Sequence, residues 1–130
     1  MDAIDTNILA RYFLNDDKAQ SPLAREIVIR GAFVSNTVIL ETAWLLKSRY
    51  NQPAKAVSAA LLALIDMPNV VVGDHALLAW ALEQYANGAD IADMFHLVEA
   101  AGHDTFLTFD RKLSKQAGKN APIRIKLASE

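Results

Sequence analysis

Short apolar runs separated by stretches of helical periodicity are what most limits the folds open to this chain. The runs are Ala3-Ile4, Ala32-Phe33-Val34, Val70-Val71-Val72 and Thr105 to Phe109, and Pro122 to Leu127 reads as a final edge strand. Strands joined through helices pair in parallel, because a parallel pair needs a crossover of a dozen or more residues. A parallel sheet in turn is covered by helices on both faces. The expectation is therefore an α/β fold: one α/β/α domain over residues 1–130 with a mostly parallel central sheet. No linker, repeat or low-complexity segment interrupts it.

The helical stretches carry their own punctuation. Ile8 to Leu14 has Ile8, Leu9, Tyr12 and Phe13 at helical spacing and is broken by Asn15-Asp16-Asp17. Ser21 is placed as N-cap and Pro22 as first residue of a helix to Arg30, which Gly31 stops. Asn36 or Thr37 caps a helix through about Tyr50, and Pro53 starts another through about Asp66. His75 to Ala86 follows, ended by Asn87-Gly88. Asp90 opens the next helix, to about Ala101, and Asp110 opens a short one to about Gln116.

Composition narrows the class of protein. Hydrophobic residues make up 52% and charged residues 22%, a globular balance. Cysteine is absent, which removes disulfides, thiolate nucleophiles and thiolate metal sites. Asp2 and Asp5 interrupt the N-terminus where a signal peptide would need an apolar core, and no run is long enough to span a bilayer. The chain is expected to be soluble and cytoplasmic. Net charge is −2, yet six of the 13 Lys and Arg residues fall between Arg111 and Lys126. Such a run is either a solvated face or a basic rim suited to phosphates.

Four carboxylates stand in positions that invite a role. Asp5 ends the first apolar run, at the strand edge where ligand sites of open α/β sheets lie; it either caps the helix at Ile8 or, if Thr6 or Asn7 supplies the cap, is free for a ligand. Glu41 has Val38, Trp44 and Leu45 as helix-surface neighbours, an apolar stripe on which a glutamate is out of place. Asp90 and Asp93, three apart, share one face of a first helical turn: Asp93 reads as a ligand with Asp90 as cap or secondary ligand, or else Asp90 caps and Asp93 only decorates the turn. Asp110 follows Phe109 at a second strand tip and again reads as cap or ligand. His96 is taken as partly buried and supporting, His75 and His103 as surface residues, and Trp44, Trp80, Phe95 and Phe106 as packing residues.

Clustered hard oxygen donors without Cys or paired His suit Mg²⁺, with Mn²⁺ able to substitute. Such an ion can activate a water against a phosphodiester. Ser35, Ser48 and Ser58 lack an evident base, and no Gly-rich phosphate loop is present.

The chain resembles the PIN-domain ribonucleases, in particular the VapC-like toxins of toxin–antitoxin pairs. The resemblance rests on Ile4-Asp5-Thr6-Asn7 with Leu9 following, Glu41 with Trp44, Gly88-Ala89-Asp90-Ile91-Ala92-Asp93, and Leu107-Thr108-Phe109-Asp110-Arg111, in family order along nearly the whole chain. It implies a Mg²⁺- or Mn²⁺-dependent endoribonuclease in which Asp5, Glu41, Asp93 and Asp110 are the catalytic and metal-binding acids. Asn7, Thr108 and Asp90 match supporting positions, and Arg111 and Lys112 would meet phosphates of the RNA substrate. It also implies a VapB-like antitoxin that occupies the active-site groove, and a homodimer. Two other readings remain open: a PIN-like module that binds RNA or protein without catalysis, and a metal-dependent phosphatase. The latter wants Asp-x-Asp-x-Thr after the first strand, but Asp5 is followed by Thr6 and Asn7, with Leu9 where the threonine would stand.

Overall fold

In the computed structural model, which describes residues 1–129, the chain forms two compact units, Met1–His75 and the described residues from Ala76 onward. The expected class holds: the fold is α/β/α, with parallel sheets flanked by helices on both faces.

The first unit contains α1 (Thr6–Leu14), α2 (Gln20–Arg30), β1 (Ala32–Phe33), α3 (Asn36–Ser48), α4 (Ala54–Ile65) and β2 (Val70–Val71). Strand β1 pairs in parallel with β2, Ala32 opposite Val70 and Phe33 opposite Val71. The first apolar run contributes a parallel bridge from Ala3 to Phe33, on the other side of β1. Phe33 donates to Asp2 O at 2.8 Å and accepts from Ile4 N at 3.1 Å, which fixes where Asp5 leaves the sheet. Helix α1 packs on α2 and α3, and α3 on α4. Leu9, Val28, Ile39, Leu61 and Leu64 are buried. Each fully buried aliphatic side chain contributes about 1.5–3 kcal/mol.

Gly31 joins α2 to β1 with φ +123°, and a Cβ there would lie 2.9 Å from Asn69 O. That oxygen accepts from Ala32 N at 3.1 Å, the bond that brings β1 alongside the approach to β2. Only glycine meets both demands.

The second unit holds α5 (His75–Ala86) apart from its first residue, then α6 (Ile91–Glu99), β3 (Thr105–Thr108), α7 (Leu113–Ala117) and β4 (Arg124–Leu127). Strands β3 and β4 are parallel, in register from Thr105 opposite Arg124 to Thr108 opposite Leu127. Leu78, Leu82, Met94 and Leu97 are fully buried, and Leu113 and Ala117 turn α7 inward.

Some boundaries move for local reasons. Helix α2 begins at Gln20, so Ser21 lies inside the helix and buried, and Pro22 is its third residue. Asp17, not Ser21, accepts the first free amides, from Gln20 N at 2.7 Å and Ala19 N at 3.0 Å. Ser35 caps α3, accepting from Val38 N, in place of Asn36 or Thr37. Helix α7 starts at Leu113 rather than at Asp110. Among the described residues no helix is long and apolar enough to cross a membrane.

Candidate functional site: an acidic hollow with an exposed tryptophan

The chain enters α1 through Asp5, whose backbone is extended (φ −100°, ψ 177°) and whose Oδ1 accepts from Ile8 N at 3.0 Å. Asp5 is therefore the N-cap itself. The expectation that Thr6 or Asn7 would free it from this task is corrected, because Thr6 is already the first helical residue and its hydroxyl points elsewhere. That hydroxyl donates to Glu41 Oε1 of α3. Thr6 is buried, and a buried hydroxyl left without a partner is costly. Glu41 supplies the partner, which gives the glutamate a structural reason to be where it is.

Glu41 also does not lie on a core-facing stripe. The buried face of α3 is Ile39, Thr42, Ala43 and Leu46. Glu41 sits on the opposite, exposed side with Trp44, whose relative exposure is 50%. Trp44, expected to pack in the core, instead walls a hollow of about 380 Å³ together with Asp5, Thr6, Asn7, Glu41 and Leu45. No basic side chain lines this hollow. Ser48, also at its edge, ties its hydroxyl to Trp44 O at 2.6 Å. A second hollow of about 280 Å³ shares Asp5 and Asn7 and is walled by Ile8, Leu23, Ala24 and Ile27, with Arg11 at its side. Trp44 was visible in the sequence only as an aromatic three residues after Glu41, a spacing that does not tell a wall from a core.

The remaining acids lie in the second unit. Asp90 caps α6, accepting from Asp93 N at 2.9 Å. Asp110 accepts from Lys112 N at 2.8 Å, and its own N–H is held by the Thr108 hydroxyl at 2.9 Å. Thr108 and Asp110 thus shape the turn after β3. Burial pushes the Asp93 carboxyl above its ordinary range, with the charges of Asp90 and Asp110 acting in the same direction and His96 against it. His96 is exposed, not partly buried as expected. Phe95 is buried, while Trp80 and Phe106 are half-buried. Arg111 and Lys112 are exposed.

These placements bear on the metal. Among the described residues, no group of three or more His, Asp or Glu side chains is arranged to hold a metal ion. The expectation of a four-carboxylate Mg²⁺ or Mn²⁺ centre at Asp5, Glu41, Asp93 and Asp110 is corrected on that finding, and with it the metal-dependent endoribonuclease. The physical reason lies in what the acids already do. Asp5 and Asp90 cap helices, Asp110 caps a turn, and Glu41 satisfies a buried hydroxyl. Of the four expected ligands, Asp5 and Asp110 accept from backbone amides and Glu41 from the Thr6 hydroxyl.

An α/β/α fold of parallel strands, with an acid at the end of its first strand segment, is the setting in which the chain compares with known families. It belongs to the PIN-domain family, whose model matches residues 3–119. No curated protein matches the chain.

Proposed function

We propose that this chain works as a PIN-fold binding module for a protein partner, taking a cationic, apolar segment into the hollow beside Asp5 and Glu41. The observation that carries this reading is an open hollow with two carboxylates, a half-exposed indole and no basic side chain. A guanidinium or ammonium entering it meets both acids, and the half-exposed Trp44 indole lines the same hollow, within reach of a cation–π contact. The adjoining hollow, with Ile8, Leu23, Ala24 and Ile27 along α1 and α2, receives apolar side chains one or two positions away. A small antitoxin-like protein, the partner implied by the resemblance to VapC-like toxins, fits this description as a cytoplasmic ligand. A phosphodiester does not suit the hollow, because two carboxylates without a shared cation repel it.

The test is calorimetric titration with a peptide carrying one arginine between leucines. Glu41→Gln keeps an acceptor for Thr6 and removes the charge, so it is expected to weaken binding about tenfold, or about 1.4 kcal/mol. Replacing the peptide arginine by norleucine is expected to produce the same loss, and the two changes together no further one. Equal affinity of Glu41→Gln and wild type, or tighter binding of RNA than of peptide at this hollow, overturns the reading.

A further inference from the structure

Among the described residues, the β3–β4 pair ends in a corner with large exposed apolar side chains. In register, Thr105 stands opposite Arg124 and Leu107 opposite Lys126, and residues directly opposite in a ladder share a face. Thr105 is half-buried, but Leu107 is 63% exposed and Arg124 and Lys126 are exposed. Of the four residues on this face, only Thr105 is partly covered. Two residues beyond Leu107, Phe109 is 87% exposed. Parallel strands are ordinarily buried on both faces, so an exposed leucine and phenylalanine here form an incomplete layer.

Cations outnumber acids around this corner, where Asp104 and Asp110 are the exposed carboxylates next to β3. Arg111 and Lys112 follow Phe109 in an exposed turn, and Arg124 and Lys126 flank Leu107 on the neighbouring strand. None of the four makes an ion pair among the described residues. A layer missing from a parallel sheet is supplied by a helix. A helix that covered Leu107 and Phe109 with apolar side chains would bring its flanking positions over Arg124 and Lys126.

We propose that this corner docks an acidic amphipathic helix of a partner protein, its apolar stripe on Leu107 and Phe109 and its carboxylates on Arg124 and Lys126. The corner belongs to the second unit, and none of its four cations or two apolar residues lines the hollow beside Asp5. A protein helix fits better than a nucleic acid because Leu107 has no ring for a base to stack on, and Phe109 alone is a single platform. Burying an aliphatic side chain requires an apolar partner.

The probe is a fluorescent peptide of about 20 residues built from Glu, Ala and Leu, with leucines at helical spacing, titrated into the full chain by anisotropy. Saturable binding that weakens as salt is raised is expected. Lys126→Glu combined with Arg124→Glu is expected to weaken it at least about tenfold, and Leu107→Ser combined with Phe109→Ser to a similar extent. Because all four side chains are exposed, the variants should melt within a few degrees of the parent, which separates lost docking from lost folding. A peptide with every Glu replaced by Gln should bind at least about tenfold more weakly. The proposal is overturned if the acidic peptide does not bind, if the charge-reversed variant binds it equally well, if oligouridylate competes it off at lower concentration than unlabelled peptide, or if sedimentation shows the corner closed by a second copy.

Discussion

Asp5 accepts the amide of Ile8, and Asp17 accepts those of Ala19 and Gln20, so both acids act first on backbone donors at helix starts. Asp5→Ala removes a cap and is expected to cost about 0.5–2 kcal/mol, while Asp5→Asn, which caps equally well, should cost only a small part of that. Urea unfolding of the two variants separates a capping acid from one kept for its charge. The backbone bonds from Gln20 and Ala19 hold the Asp17 carboxyl below its ordinary value of 3.8. A depressed carboxyl contributes stability above its unfolded pKa and loses it as pH falls through the folded one. Asp17→Ala should therefore lower the melting temperature at pH 6, and the gap to wild type should narrow steadily as the pH falls below 3.8. A gap that stays constant down to the acid limit would assign the loss to something other than the charge.

At the scale of elements, the junctions decide more than the interiors. Gly31→Ala places a Cβ 2.9 Å from Asn69 O at a positive φ and should destabilise by more than about 1 kcal/mol. By contrast, Gly88→Ala has no atom within 4 Å of its Cβ, so its cost comes from φ alone and should be the smaller of the two in the same unfolding assay. Within α4, Leu61 is fully buried, and Leu61→Ala is expected to cost about 2–5 kcal/mol. The strands are the elements the sequence placed best: Val70 to Val72 and Thr105 to Phe109 contain β2 and β3, because β-branched and aromatic residues cluster there between turn signals. Helix starts were less legible. Ser21 and Ser35 are both serines before helical periodicity, yet only Ser35 caps, since Asp17 had already taken the amides at the start of α2.

Across the molecule, the two acids of the hollow and the basic tail divide between the two units. Asp5 and Glu41 belong to Met1–His75, and the cations from Arg111 to Lys126 to the second unit. Trp44→Ala should leave stability within about 0.5 kcal/mol, because the side chain is half exposed, while weakening peptide capture by the hollow at least about tenfold, the behaviour of an aromatic anchor. A large drop in melting temperature would return Trp44 to the packing role its spacing first suggested. What the sequence determined by itself was the α/β class, the order of the elements and the family, because these follow from hydrophobic period and from short motifs that are local in the chain. What only the tertiary structure decided was the use of each acid. Whether Asp5 caps, whether Glu41 meets Thr6 thirty-five residues away, and whether carboxylates gather around an ion depend on distances between elements, and periodicity along the chain carries no information about those.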